Sequence, residues 1–492
     1  MYQVVIWDNF EEPRVSPAKP PGRGTRIVES VIGLIEGDTL KTGERLPAIR
    51  IAAANYGVSK NTLADAYDRL VSLGYIEARR GSGYYVSPVR RKPVAARPPH
   101  VAEALDLVSL LREQLEQHFA VRVGDGRPPP SWMEDSELGR HLGSVGSRRG
   151  GSVTHGYGHP RGFAPLRERI ALTLAERSIN ASPDQIILTQ GANHALDLIV
   201  RYLVQPGDTV LVDSPGYYPL FAKLKLAKAQ MIGIARLADG PDLEDLAAKA
   251  AISHAKVFFT QSLAHNPTGG SLTLPIAHRV LQIAQRHGLH IIEDDPFADV
   301  VSAASPRLAA LDQLERVTYV GTFSKTLSAS LRVGYVAAAP PLADALADLK
   351  ILTIVSTSDY IERVIHTLIV NGHYRRHLQR LRGRIEEATV SALRHMERLG
   401  VRIFAPPSGG YYLWALLPAG VDEAALSRQA LEHGIFMAPG SVFWPDRSGP
   451  DRLGPDRIGG GAAIRINVAY ASDQKFLEFL RNYLAGRCGA DD

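Results

Sequence analysis

Val317-Thr318-Tyr319-Val320-Gly321-Thr322-Phe323-Ser324-Lys325 is the stretch on which the reading of this chain turns. Val317–Gly321 is an apolar run of strand composition, and hydroxyls and an amine follow it at once. Seven residues past Lys325 stands Arg332, followed closely by Gly334-Tyr335. A lysine alone means little, since most are solvated surface groups. Here it stands with Thr322, Ser324 and Arg332. An amine can form a Schiff base, while hydroxyls and a planar, permanently charged guanidinium suit a phosphate dianion.

Outward from this stretch, apolar runs alternate with helical patterns. The runs are Ile186–Thr189, Val210–Asp213, Val257–Thr260 and Leu289–Glu293. Continuous apolar strands with helix-length spacers predict a mostly parallel sheet covered on both faces. Several of these runs lead into polar motifs. Asp294-Asp295-Pro296 follows the Leu289 run, and a carboxylate at a strand's carboxyl end points into the usual ligand crevice of an open α/β sheet. An acid pair there also reads as a loop or helix cap. His265-Asn266-Pro267-Thr268-Gly269 follows the Val257 run and is, by itself, a plain turn signal. Gly191-Ala192-Asn193 opens a helix whose first N–H groups can hold phosphate, or is an ordinary strand-to-helix turn. Tyr217, in Ser214-Pro215-Gly216-Tyr217, is either a stacking ring or a core tyrosine. Beyond ~350 a charged helical stretch (372–398), strand signals at Tyr411–Ala415 and Ala463–Val468 and a last helix after Ser472 predict a smaller α+β subdomain.

Pyridoxal phosphate needs an amine, an acid to keep its ring nitrogen protonated, and phosphate donors. Lys325, Asp294 and the Thr322/Ser324/Arg332 set meet these needs, with Asn266 available to the phenolic oxygen. In their order along the chain these motifs resemble the fold-type I aminotransferases over roughly residues 135–485. The resemblance implies that Lys325 is the Schiff-base and catalytic lysine and that Asp294 is the ring-nitrogen acid. It implies a cofactor shell of Asn266, Tyr217, Gly191, Ala192, Asn193, Thr322, Ser324 and Arg332. Ile464-Arg465-Ile466-Asn467 matches the family's site for an amino-acid carboxylate, which makes Arg465 the substrate-binding residue; a surface arginine on a strand is the alternative. One departure stands out. Many members carry, two or three residues after the acid, a tyrosine that bonds the phenolic oxygen. This chain has Pro296 and Phe297, and neither can donate that bond.

The first fifth of the chain carries the whole charge excess. Residues 1–100 hold 15 basic and 10 acidic residues, against a net charge of +5 for all 492 residues. Arg79, Arg80, Arg90, Arg91, Lys92 and Arg97 run without an intervening acid. Local basic excess on a small domain is a footprint for polyanion binding; a solvated linker is the alternative. Gly24–Glu36 has helical periodicity, and Pro47 suits a first helical position before a helix running to Asn55. Tyr56-Gly57-Val58 is a turn. Ser59 is a good N-cap for a helix whose Leu63, Ala66, Tyr67 and Leu70 face inward. Tyr75–Ala78 and Gly83–Val86 flank a basic tip, Arg79-Arg80-Gly81-Ser82, which reads as the wing of a hairpin.

Leu46-Pro47-Ala48-Ile49-Arg50, Tyr56–Thr62, Leu70–Ile76 and Arg80-Gly81-Ser82-Gly83 resemble the winged helix-turn-helix head of GntR-type regulators. The resemblance implies DNA contacts from Arg50, Lys60, Asn61, Thr62, Arg80 and Gly81. Ala64 stands where some members have a basic residue, and Asp65 and Asp68 put acid on the outward face.

Head and body together resemble the MocR/GabR-type subfamily of GntR regulators. The expected architecture is multidomain: a winged helix-turn-helix joined to an α/β fold-type I aminotransferase-like domain with a smaller α+β C-terminal subdomain. The expected divisions are a loose segment at 1–21, the head at 22–88, an extended Pro/Arg linker at 89–104, the large domain at 105–350 and the small one at 351–492. Asp446–Gly461 reads as an exposed loop. The resemblance implies a regulator that binds double-stranded operator DNA, senses an amino acid or amine through pyridoxal phosphate, and forms a head-to-tail homodimer. A working aminotransferase with a regulatory or vestigial head is the competing reading.

Composition narrows the class. Hydrophobic residues at 45% and charged residues at 22% exclude a wholly disordered chain. The single cysteine, Cys488, permits no intrachain disulfide and no Cys-based zinc cluster; no metal is expected. The N-terminus has no secretory pattern, and no run approaches the ~18 apolar residues of a membrane span. The expectation is a soluble protein of the bacterial cytoplasm, on the nucleoid when bound to DNA.

Overall fold

The structure, a computed structural model, describes residues 23–36, 40–79, 82–87, 99–116, 119–145, 156–446 and 462–488. The expected N-terminal segment, Arg80 and Gly81, most of the linker and nearly all of the 446–461 loop lie outside the described residues. The chain divides into two units, Met1–Arg97 and Pro98–Asp492.

In the first unit, α1 (Arg23–Glu36), α2 (Ile49–Asn55) and α3 (Lys60–Ser72) precede a hairpin of β1 (Ile76–Arg79) and β2 (Gly83–Val86). The Ser59 hydroxyl accepts from the Thr62 N–H at 3.1 Å and starts α3 as expected. Leu63, Ala66, Tyr67 and Leu70 form its buried stripe and pack with Ile27, Val28 and Val31 of α1. Burying each leucine is worth roughly 1.5–3 kcal/mol. Pro47 does not begin a helix, and α2 starts at Ile49 instead. The Leu46 N–H donates to Tyr84 O, and Pro47 O accepts from the Tyr67 hydroxyl. These two bonds keep the chain extended through Pro47. The hairpin pairs Ile76 with Val86 and Arg79 with Gly83.

In the second unit, eight strands form the central sheet: β3 (Ile186–Thr189), β4 (Thr209–Ser214), β5 (Gln230–Leu237), β6 (Gly240–Pro241), β7 (Val257–Thr260), β8 (His290–Asp295), β9 (Val317–Thr322) and β10 (Gly334–Ala337). Their order is β3-β10-β9-β8-β7-β4-β5-β6. The run β9-β8-β7-β4-β5 is parallel, as the continuous apolar runs predict. Two strands depart from this: β10 lies between β3 and β9, antiparallel to both, and the short β6 is antiparallel to β5. Alternate residues serve opposite cores. Leu211, Phe258 and Ile291 face one, while Val212, Phe259 and Ile292 face the other.

β11 (Arg402–Ile403), β12 (Tyr412–Leu416), β13 (Ala438–Pro439) and β14 (Ala463–Asn467) form a smaller antiparallel sheet. Val121 and Val123 join its core, and Gly124 lies so close that a Cβ there would stand 2.5 Å from the Ala438 nitrogen. One sequence expectation is corrected here. The end of the proposed extended linker is helical, within Pro99–Leu107. Pro99 occupies the first helical position, where a missing N–H leaves no bond unmade and the fixed φ favours the helix.

Candidate functional site

The carboxyl ends of β7, β8 and β9 deliver Asn266, Asp294 and Lys325 to one edge of the sheet. The half-buried Lys325 amine donates to Gly126 O at 2.6 Å. Ahead of it, the Thr322 hydroxyl donates to Val333 O at 3.2 Å and also faces the Ser324 hydroxyl. Arg332 has a left-handed backbone (φ 52°), and its guanidinium donates to Gln190 O at 2.9 Å. This lays it against Gly191, the first residue of the helix Gly191–Leu203. A Cβ on Gly191 would stand 2.8 Å from the Arg332 guanidinium, and one on Gly334 would stand 2.7 Å from the Gly191 carbonyl carbon. Gly191 also has φ 74°, so the corner needs glycine there for its backbone and at Gly334 for its close approach. Gly191, Ala192, Thr322, Ser324 and Arg332 meet there, while Asn193 points out and is exposed.

Three consecutive acids end β8, and their partners differ. Glu293 accepts from the Leu308 and Ala309 N–H groups and from the Ser262 hydroxyl. Asp295 accepts from Arg307 and from the Tyr319 hydroxyl, both at 2.8 Å. Asp294 faces a small cavity that Tyr217, Asp213, Gln261 and His265 also line. One Asp294 oxygen accepts from the Gln261 amide at 2.6 Å. The other is buried with no hydrogen-bond partner among the described residues. Burial pushes this carboxyl up to about 7.

Gln261 is a residue that sequence reasoning missed. Its side-chain oxygen accepts from the Asn266 N–H at 2.8 Å, so one amide ties Asn266 to Asp294. Beneath it lies a second missed group. Arg236 and the Thr260 hydroxyl both donate to one Asp213 oxygen, and the His265 ring lies 3.3 Å from that oxygen. Burial and the nearby Arg236 charge lower His265 to about 4, so the ring is neutral at pH 7. Only the polar run Thr260-Gln261-Ser262 after an apolar strand hinted at this floor.

Arg465, on β14, is almost wholly buried. It donates to Asn266 Oδ1 at 2.9 Å and to Gly124 O at 2.7 Å, and its guanidinium lies over the Tyr412 ring. Its Nε is buried without a partner among the described residues. The surface-arginine alternative is thereby set aside. Tyr217 is half-buried, and burial raises its phenol above the ordinary value. Phe297 is fully buried, edge-on to Tyr411 and Tyr412.

Elsewhere, ligand atoms of Glu137, His141 and His373 lie within 4.8 Å of one another. That is looser than a filled tetrahedral shell, whose neighbouring ligands stand about 3–3.5 Å apart. In the first unit Arg50, Lys60 and Asn61 are exposed, as are Asp65 and Asp68. The Thr62 hydroxyl is paired with that of Ser59 at 2.8 Å.

Comparison with known proteins decides the family. Residues 122–481 match the aminotransferase class I and II family, and residues 23–86 match the bacterial regulatory proteins of the gntR family. The HTH-type transcriptional regulator YdcR of Escherichia coli strain K12 is 30% identical, over 85% of this chain and 91% of its own length. The chain is a MocR-type regulator of the GntR family. The probable rhizopine catabolism regulatory protein MocR of Rhizobium meliloti is 31% identical over 73% of each chain. Among solved structures, the α-aminoadipate aminotransferase LysN of Thermus thermophilus superposes with a TM-score of 0.69 at 26% identity, covering 79% of this chain and 98% of LysN. The second unit of this MocR-type regulator is thus a fold-type I aminotransferase domain, of a class that typically binds pyridoxal phosphate. Among the described residues, no helix is long and apolar enough to cross a membrane.

Proposed function

We propose that this regulator binds pyridoxal phosphate at Lys325 and uses it to sense an amino acid or amine that controls its hold on operator DNA. The observation that carries the reading is the pair of unsatisfied buried atoms flanking the lysine. Among the described residues, one Asp294 oxygen lacks a donor and Arg465 Nε lacks an acceptor, and buried polar groups are costly when left unmatched. A cationic ring nitrogen suits the first, and an effector carboxylate suits the second. The Gly191/Arg332 corner, with Ala192, Thr322 and Ser324, offers backbone N–H, hydroxyl and guanidinium donors for the phosphate; Tyr217 offers a ring face.

Held at Lys325, the vitamer would supply an aldehyde carbon open to reversible exchange between amines. Arg465 holds the effector's carboxylate and Asn266 steadies Arg465. Asp294 holds the ring-nitrogen proton. Arg50, Lys60, Asn61 and Thr62, with Arg80 and Gly81, are the proposed DNA contacts. Effector binding alters DNA affinity only to the extent that it favours one of two states of the protein. A head-to-tail homodimer acting in the cytoplasm completes the proposal.

The same lysine, acid and arginine favour a second reading, turnover as an aminotransferase, with Lys325 moving the proton as general base. The test is a spectral titration of the loaded protein across a panel of amino acids and amines, repeated with DNA from its own upstream region. A spectral change coupled to altered DNA binding supports the sensor. Rapid multi-turnover transamination without a promoter footprint supports the enzyme.

A further inference from the structure

Pro296 and Phe297, two and three residues beyond Asp294, offer no hydroxyl, yet the pocket is not short of phenols. Tyr412 is buried, and its hydroxyl donates at 2.9 Å to Gly126 O, the carbonyl to which the Lys325 amine donates at 2.6 Å. The phenol and the amine can be no further apart than these two bonds laid end to end. A carbonyl oxygen has two lone pairs and accommodates both donors. The ring of Tyr412 lies edge-on to Phe297 with centroids 5.4 Å apart, and its other contact is the Arg465 guanidinium, 4.6 Å from the ring centre. A Cβ added to Gly126 would stand at ordinary contact distance from both, 3.5 Å from the Tyr412 hydroxyl and 3.7 Å from the Arg465 guanidinium, so the three residues line the same space. Tyr411, the neighbouring phenol, is committed elsewhere: it donates to the main-chain Lys325 O at 2.6 Å.

We propose that Tyr412 supplies, from the small sheet, the hydroxyl that Phe297 cannot supply from the large one. It acts on the group attached to Lys325. This rests on the reading that Lys325 carries pyridoxal phosphate. Once the amine is drawn from Gly126 into the Schiff base, Tyr412 stays beside it as a hydroxyl donor. A donated hydrogen bond to the ring oxygen favours its anionic form, and so favours the unprotonated Schiff base. Losing the donor shifts the balance toward the protonated form.

The experiment is a pH titration of the visible absorbance of the loaded protein, comparing wild type with Tyr412→Phe. The midpoint is expected to rise by about one unit, a tenfold change in the ratio of the two forms. Adding Phe297→Tyr to that variant is expected to bring the midpoint back toward wild type. A loaded Tyr412→Phe protein with an unmoved midpoint overturns the proposal, and so does a double variant indistinguishable from the single one. Should Tyr412→Phe take up no vitamer, Lys325 is probed directly in the bare protein. Its reductive methylation is followed against pH by mass spectrometry. Loss of a donor competing for Gly126 O strengthens the ammonium's hold on that carbonyl. The methylation profile should therefore move to higher pH, and an unchanged profile overturns the proposal. A wild-type protein that takes up no vitamer defeats the reading of the previous section as well; an unmoved midpoint in a loaded variant defeats this one alone.

Discussion

The Arg465 guanidinium donates to Asn266 Oδ1 at 2.9 Å, across 199 residues of chain. A guanidinium has only donors, so this contact fixes which way the asparagine amide faces: oxygen to Arg465, NH2 away from it. Arg465 is thus positioned by Asn266 and Gly124 O, while its Nε has no partner among the described residues. Arg465→Ala should blunt the response to carboxylated effectors by about tenfold or more, since a charge-assisted bond contributes roughly 1.5–3 kcal/mol. Simple amines should titrate much as before. Titrating both effector classes checks this, and equal losses for the two would remove Arg465 from the carboxylate role.

Lys325→Ala should abolish covalent retention of the vitamer. The measurement is borohydride reduction of the loaded protein followed by peptide mass mapping. Persistence of a reduced adduct in the variant would place the Schiff base on another residue.

Asp294 gives a pH signature. Its folded-state value, raised by burial to about 7, lies above its ordinary value of 3.8. Between these values the folded bare protein holds a proton that the unfolded chain has released. Stability from this group therefore falls as pH rises through that window and levels off above it. Asp294→Asn should flatten the decline, with a relative change in melting temperature on the order of a few degrees between pH 4.5 and 7. Comparing the two proteins cancels the similar contribution of Glu293, also raised by burial to about 7. Parallel melting curves across the window would show that Asp294 does not titrate there.

Arg50→Ala and Lys60→Ala act on the other unit. Each should weaken operator binding while leaving the cofactor spectrum unchanged. A lost phosphate contact also lowers the slope of log affinity against log salt by about 0.9. Fluorescence anisotropy at several salt concentrations gives both quantities. A variant with wild-type affinity and slope loses its place among the DNA contacts.

Local motifs made much of this architecture legible. Ser59 announces α3 through a bond three residues long, and the apolar runs that lead to Asp294 and Lys325 stop abruptly. Of the three acids on β8, the chemistry selected Asp294, and the structure shows why the others are committed: Glu293 holds two backbone N–H groups and Asp295 holds Arg307. What stayed hidden depends on distant backbone. Gly126 O accepts from Lys325 across 199 residues and from Tyr412 across 286, and a carbonyl leaves no mark in a sequence. Gln261 likewise gains its role from folding, because amides after a strand are ordinary loop residues. The antiparallel β10 escaped notice because four apolar residues carry no direction.

The lodging of β10 between β3 and β9 has a consequence for biosynthesis. Gly334 can meet Gly191 only once β10 has been made, since that strand lies between two that precede it in the chain, and Arg465 follows more than a hundred residues later. A polypeptide emerging from the ribosome thus lacks a finished pocket until Arg465 has been translated, so products truncated before that residue have no complete place for a ligand.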